Sequence, residues 1–362
     1  MRRGLISWSR EEVPAAVLDA RVGQLQKAML ASQLDAVLAY TSFAQPAPVQ
    51  WLTHFVPYWS EALLMVLPKS SPALLASLTE RVHPWIREVS HIGEIISAPR
   101  LGEKAAMLLN ERTAAPRKIG VIGFDALPWS VAEPLIQGVG GDALVDASSL
   151  YATLRQPADW EEAKLAQHAT SIGEAALEAI PRDAKRASEI LAAVESVARL
   201  AGAEEVLQRI APDLGQSATL LRIEGDAMLG ERFSIELSIA YKGAWVRLTR
   251  CVAAAAQPRS WGGAANWVFA VAAEVDAVNG APELKATAVD MPGKLVGWTL
   301  EASIDVYPLS VIATHDRPSS HSLPPGSLVV LSVHLALDDG PWRASVPLIL
   351  GASGDRNTLL IE

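Results

Sequence analysis

The residues best suited to chemistry lie in the second half of the chain, where acidic, basic and imidazole side chains occur close together. Residues 234–250 read SIELSIAYKGAWVRLTR and carry Glu236, Arg247 and Arg250. His315 follows in the segment THDRP. A neutral imidazole can act as an acid or a base near pH 7. A guanidinium can present two donors to a carboxylate. This set of residue types therefore indicates binding of a small polar molecule, with proton transfer as an option.

The segment that holds Glu236 and Arg247 has the pattern of a β-hairpin. An alternating apolar run ends at Tyr241, a Lys-Gly pair follows, and a second run leads to Arg250. Two residues that include glycine between such runs are typical of a tight hairpin turn. Residues two apart share a face of a strand, and partners on facing strands lie close together. The hairpin is therefore the element that would position these side chains.

Composition and charge limit the classes of partner. The chain has 362 residues, a formal net charge of -9 and a pI near 5.4, and it contains no basic stripe. Nucleic-acid binding needs clustered Lys and Arg, so we predict no nucleic-acid partner. The apolar stretch before Arg10 is too short for a signal sequence or a membrane span. We therefore predict a cytoplasmic protein with no membrane partner. The single cysteine, Cys251, excludes an intramolecular disulfide.

The order of predicted elements divides the chain into two domains. Residues 1–153 alternate helical and strand patterns, which predicts an α/β domain. Residues 154–362 begin with helical patterns and continue with apolar runs, which predicts an α+β domain with helices backing an antiparallel sheet. In this second domain we predict helices after Pro157, over 187–202 and over 262–281, and strands over 217–224, 232–241, 244–255, 301–312, 327–338 and 343–350.

Several segments together resemble the motifs of a known family, in the same order along the chain. They are QWLTHFVPYWSEALLMVLPKSSPALLAS, LRQPADWEEAKLAQHATSIGEAAL, LGERFSIELSIAYKGAWVRLTR, THDRP and LPPGSLVVLS. In this respect the chain resembles the creatinase, aminopeptidase P and prolidase family. The resemblance implies a mixed sheet flanked by helices in the N-terminal domain. It implies a pita-bread C-terminal domain, a curved antiparallel sheet backed by helices, and a homodimer.

The same resemblance argues against a metal centre. Peptidases of the family hold two divalent metals with two Asp, one His and two Glu, because paired cations polarise the scissile carbonyl and generate hydroxide. Matched to that pattern, the five positions fall on Glu236 and Arg247, and near Pro308, Ser332 and Ser345. A permanently charged guanidinium repels a dication. The resemblance therefore implies a divergent member without the metal ligands, and we predict no metal and no other cofactor.

Two functions remain open after this comparison. Creatinase works without metal through a histidine base, but the matching stretch 215–231 here contains no histidine, and Arg222 and Glu224 are its central ionisable residues. The first function is that of a pseudoenzyme, which binds a small molecule or a short peptide or has a regulatory role. The alternative is a metal-independent C–N hydrolase acting on a small amide or guanidino compound. In that enzyme His315 would be the catalytic acid or base.

The predicted substrate-binding residues have open alternatives of their own. If the family geometry holds, Glu236 and Arg247 are neighbours. They form either an ion pair that fills the former metal space, or a substrate site in which an arginine presents two donors to a substrate carboxylate. Arg250 and Arg222 are predicted to bind substrate with them. In family dimers the N-terminal domain of one subunit overhangs the pocket of the other. Tyr58 and Trp59 would then cap the ligand, or would form an interface cluster.

Overall fold

The computed structural model describes residues 7–115, 117–277, 284, 289–303, 309–317, 322–352 and 355–361. The described chain forms two compact units, one up to Arg155 and one from Gln156 onward. This division falls two residues after the predicted boundary at 153/154. No described helix is long and apolar enough to cross a membrane.

The N-terminal unit is built on a six-stranded mixed sheet. Its order is β4-β3-β2-β1-β5-β6. The pairs β1–β2 and β2–β3 are antiparallel, and β3–β4, β1–β5 and β5–β6 are parallel. The strands are β1 Ala36–Ser42, β2 Glu61–Val66, β3 Ala73–Ala76, β4 Glu94–Ser97, β5 Ile119–Ile122 and β6 Leu144–Asp146.

Helices cover both faces of this sheet, which is why its central strands are apolar on both sides. On β1, Val37 packs in the same core cluster as Met29, while Leu38 packs in the opposite cluster with Leu109 and Leu135. The α/β architecture predicted for this unit is confirmed. Its helices are α1 Ala15–Ala31, α2 Ala47–Thr53, α3 His83–Val89, α4 Leu101–Arg112, α5 Trp129–Val139 and α6 Ser148–Leu154.

The C-terminal unit contains an eight-stranded sheet in which every named pair is antiparallel. Seven strands follow the order β11-β10-β12-β13-β9-β8-β7, and β14 pairs with β13. The helices are α7 Trp160–Glu178, α8 Ala187–Leu200 and α9 Arg259–Glu274. The strands are β7 Glu205–Ala211, β8 Arg232–Tyr241, β9 Ala244–Ala253, β10 Lys294–Ala302, β11 Ser310–Thr314, β12 Leu328–Leu337, β13 Gly340–Ile349 and β14 Thr358–Leu359.

The two faces of the β8–β9 hairpin have different chemistry because side chains alternate along a strand. Ile239 and Leu248 lie on the face that packs against α7, where a Cβ added at Gly173 would lie 2.5 Å from Leu248 Cδ1. Glu236, Arg247 and Thr249 occupy the other face. The apolar face therefore anchors the hairpin to its helix, and the polar face is left to form a site.

Several predicted elements of this unit were wrong in their bounds. Residues 217–224 form no strand, apart from an isolated bridge between Leu221 and Ile210. The predicted strand 301–312 is instead the end of β10 and the start of β11. The helix predicted over 262–281 is α9, which begins at Arg259 and ends at Glu274, and residues 278–283 lie outside the described chain. Strand β7 was missed altogether.

Packing at Gly173 generates a stability prediction. Gly173→Val places a branched side chain against the Leu248 and Ile239 methyl groups. We expect the free energy of unfolding to fall by about 1–3 kcal/mol, as is usual for overpacking a filled core. Urea denaturation measures the change. The matched control is Gly262→Val in helix α9, where an added Cβ meets nothing within 4 Å. Equal stability of the two variants would contradict the described packing.

Candidate functional site

The β8–β9 hairpin closes through a two-residue turn that fixes its register. Lys242 and Gly243 have φ values of 46° and 85°, and Tyr241 pairs with Ala244. Positive φ at both central residues matches the turn geometry that suits the twist of a hairpin. The predicted hairpin is therefore present. This register sets Glu236 opposite Thr249 and Arg247 opposite Ser238, so Glu236 and Arg247 are diagonal neighbours rather than direct partners.

Strand pairing extends this register into a row of polar residues across seven strands. We call it the polar row: Arg209, Glu236, Thr249, Ser345, Ser332, Thr299 and Thr314. At its centre the Ser345 hydroxyl lies 2.7 Å from Thr249 Oγ1 and 2.7 Å from Ser332 Oγ. The central hydroxyl groups are therefore linked by hydrogen bonds. Ser332 and Ser345 are the residues near which the family resemblance implies the two glutamate positions of the peptidases.

The polar row lies along a cleft of about 380 Å³. Every member of the row except Arg209 lines it, together with the ionisable residues His315, Asp316, His334 and Arg343. Leu220, Val296 and Val333 supply apolar lining. A volume of this size suits a small molecule, and a few fixed polar groups among apolar ones are typical of ligand sites.

Two ion pairs neutralise the acidic groups at one side of the cleft. Arg209 Nε and Nη2 lie 2.6 and 2.5 Å from the same oxygen of Glu236. Arg247 pairs with Glu301 through Nη1, donates from Nε to Ser238 Oγ at 3.0 Å, and lies 3.6 Å from Glu236. The Glu236 and Glu301 side chains are only 8% and 5% exposed. Burial raises the pKa of Glu301, and the Arg247 guanidinium opposes that shift.

A second pair of ionisable residues, Arg343 and His334, lies beside the polar row and includes no acidic partner. Arg343 and His334 face each other on β13 and β12. Arg343 Nε and His334 Nε2 are buried and have no hydrogen-bond partner in the described chain. Burial, and then the charge of Arg343, lowers the pKa of His334 to about 4, so its imidazole is neutral at pH 7. Burial also lowers the pKa of Arg343, although a guanidinium stays charged at neutral pH.

The structure brings together some of the predicted site residues and separates others. His315 is exposed and lines the cleft with Glu236, and Arg247 is held beside it by Glu301. Arg250 alternates with Thr249 and therefore lies on the opposite face of β9. Arg222 is exposed in the segment after Leu221 and does not line the cleft. The predicted shared site of Arg247, Arg250 and Arg222 is thus not assembled.

Tyr58 and Trp59 belong to an aromatic cluster in the N-terminal unit. The Trp59 ring is stacked on Trp85 at 6.2 Å, and Tyr58 meets Trp59 edge-on at 4.8 Å. Trp59 remains 62% exposed. Their role as ligand-capping residues stays a prediction.

Sequence reasoning missed three charged residues that shape the site. Arg209 lies on the unpredicted strand β7, and Glu301 lies on β10, whose bounds were wrong. Arg343 could have been found, because it lies two residues before Ser345 on a strand that was predicted and so shares its face.

The donor groups of the cleft do not resemble a metal centre. The described residues include no group of three or more His, Cys, Asp or Glu that could hold a metal ion. Glu236 and Glu301 are paired with arginines, Asp316 is exposed to solvent, and hydroxyl groups stand at Ser332 and Ser345. Divalent cations prefer carboxylate or imidazole ligands. Pro308, near which the histidine ligand was expected, lies outside the described residues.

The Arg247–Glu301 pair generates a double-mutant prediction. Arg247→Met leaves the buried Glu301 carboxylate unpaired, which we expect to cost about 3–5 kcal/mol of stability. The double variant R247M/E301M removes both charges, so it should regain most of that loss. Urea denaturation of wild type, both single variants and the double variant completes the cycle. Additive losses would show that the two charges do not interact.

His334 generates a prediction about pH. Its pKa is about 4 in the folded chain, against about 6.5 when unfolded, because burial and Arg343 disfavour the imidazolium. Between these values the unfolded chain binds more protons, so the contribution of neutral His334 is complete above pH 6.5 and is lost as the pH falls. We expect wild type to lose more stability than His334→Gln between pH 7 and pH 4.5. The measurement is urea denaturation of both proteins at each pH. Equal losses of unfolding free energy in wild type and His334→Gln would contradict this prediction.

Comparisons with known proteins agree with this architecture. Residues 21–156 match the family model described as Creatinase/Prolidase N-terminal domain. A comparison with curated proteins found no match. The prolidase from Pyrococcus horikoshii OT3 is 16% identical, with a TM-score of 0.70 over 95% of this chain and 98% of that one.

Two further solved structures are similar over nearly the whole chain. Dipeptidase PepE from Mycobacterium ulcerans is 13% identical, with a TM-score of 0.66 over 96% of both chains. The X-Pro aminopeptidase from Thermotoga maritima MSB8 is 14% identical, with a TM-score of 0.65 over 94% of this chain and 97% of that one. The chain therefore carries a creatinase/prolidase-type N-terminal domain and has the pita-bread fold of the prolidases.

Proposed function

We propose that the protein binds a small molecule or a short peptide in the cleft without a metal ion, as a pseudoenzyme on a prolidase fold. The observation that carries the proposal is the pairing of Arg247 with Glu301 beside a row of hydroxyl groups. A positive charge and neutral hydroxyls occupy the region in which a peptidase of this fold would need anionic ligands. The cleft itself remains open, and both polar and apolar residues line it.

The contacts of Arg247 indicate that it stabilises the fold rather than binds a ligand. Its guanidinium is engaged by Glu301 and Ser238, and Glu236 is nearby. A guanidinium that is committed to buried partners has few donors left for a ligand, and displacing it would leave Glu301 unpaired. Of the two predicted roles of Arg247, this arrangement favours the ion pair, although its main partner is Glu301 rather than the predicted Glu236, which is paired with Arg209. The residues proposed to meet a ligand are those that line the cleft.

The hydrolase alternative has less support. His315 lines the cleft, but its ring forms no hydrogen bond with any described residue, and only its backbone N–H is engaged, by Trp298 O. A general base is usually oriented by a partner and held near the proton it takes. Binding is therefore the function that the geometry supports best. A homodimer and a cytoplasmic location stay predictions from the resemblance and the sequence.

Gly297 allows a direct test of the cleft. It lines the cleft, and an added Cβ meets nothing within 4 Å, so Gly297→Leu fills space there without a clash at the Cβ. Chelator-treated wild type should bind members of a library of small molecules and dipeptides, measured by ligand-observed NMR. We expect Gly297→Leu to weaken that binding by about tenfold or more, because it takes volume from a site of ligand size.

The control for this experiment is Gly262→Leu, which adds the same side chain in open space on helix α9. It should bind as wild type does. Ligands that bind Gly297→Leu as tightly as wild type, or only after metal is added back, would overturn the proposed function.

A further inference from the structure

We propose that Arg343 and His334 form the recognition site for a carboxylate on the ligand of the cleft. This inference rests on the proposed function and adds the chemical class of the ligand. It starts from the two buried nitrogens, Arg343 Nε and His334 Nε2, which have no hydrogen-bond partner in the described chain. Buried polar atoms are nearly always hydrogen-bonded in native proteins, so these two unpartnered nitrogens at facing strand positions need a partner, which is either water or a ligand of the cleft.

The charges around the cleft point to an anion. Arg209 is paired with Glu236, and Arg247 is paired with Glu301. Arg343 forms no ion pair with a described residue, although it lies within electrostatic range of Glu236 and Arg209. Asp316, the other acid in the lining, is exposed to solvent. Arg343 is therefore a half-buried positive charge without an ion pair in the described chain, and partly buried charges favour a counter-ion.

The same charge count favours a carboxylate over a phosphate. A carboxylate carries one negative charge at neutral pH and would balance Arg343. A phosphate monoester carries about -1.5 to -2 and would add an excess next to Glu236. A guanidinium presents donors in the planar arrangement that matches a carboxylate. Neutral His334 carries one N–H, which one of its tautomers places on Nε2 for a second hydrogen bond.

The surroundings of the pair explain how the rest of a ligand would be held. Arg343 lies two residues from Ser345, and His334 lies two residues from Ser332, so the pair and the hydroxyls share one face. Hydroxyl groups donate and accept hydrogen bonds, so they accommodate a polar uncharged body next to the carboxylate. The sheet therefore offers a charged end and a neutral polar surface side by side.

The test uses a panel of small carboxylic acids, each paired with its primary amide, on the full-length protein after chelator treatment. Binding is measured by ligand-observed NMR and calorimetry for wild type, Arg343→Gln, Arg343→Lys and His334→Gln. The matched control is Arg222→Gln, because Arg222 is exposed and does not line the cleft. Circular dichroism checks that each variant is folded.

We expect acids to bind wild type and Arg222→Gln at least about tenfold more tightly than their amides, as a charge-assisted pair contributes that much. Arg343→Gln should lose this preference, Arg343→Lys should keep part of it, and His334→Gln should weaken it. The proposal is overturned if no acid binds, if amides bind as well as acids, or if Arg343→Gln keeps the preference. If neutral compounds alone bind wild type, and Gly297→Leu loses that binding, this inference fails while the proposed function stands.

Discussion

The ion pair between Arg247 and Glu301 is the interaction on which the site depends. It joins β9 to β10 across the two strands that separate them, β13 and β12. It also decides the charge of the cleft, because a buried carboxylate needs a compensating cation and the arginine supplies it from within the chain. With Arg247 on Glu301 and Arg209 on Glu236, both buried acids beside the cleft are already balanced. What remains for a ligand is the polar row and Arg343, which forms no ion pair with a described residue.

The apolar side of the sheet makes this polar side possible. Ile239 and Leu248 pack against helix α7 so closely that a Cβ added at position 173 would lie 2.5 Å from Leu248 Cδ1. That packing fixes which face of the hairpin points away from the helix, since a shift of one residue would turn every side chain over. The Lys242–Gly243 turn fixes the same pairing register between β8 and β9. Hydrophobic burial and turn geometry together therefore align seven polar residues that are far apart in the sequence.

The sequence predicted the architecture better than the site. Alternating apolar runs identified strands β8, β9, β12 and β13, and the order of motifs predicted the prolidase fold, because these signals are local. The site depends on pairing between strands that are distant in sequence, which periodicity does not encode. Glu301 became the partner of Arg247 only through the order β10-β12-β13-β9, and Arg209 reached Glu236 only through β7. The alternation rule also separates Arg250 from Arg247, although both are arginines of one strand.

The central claim is that the cleft needs no metal, and titration of Mn²⁺ and Co²⁺ into chelator-treated protein tests it most directly. Calorimetry of the wild-type chain should show no saturable binding of either ion, because Glu236 and Glu301 are held by arginines and Ser332 and Ser345 offer only hydroxyl groups. Saturable binding of about two ions per chain, as a two-metal hydrolytic site would require, and its loss in Gly297→Leu, would contradict the account.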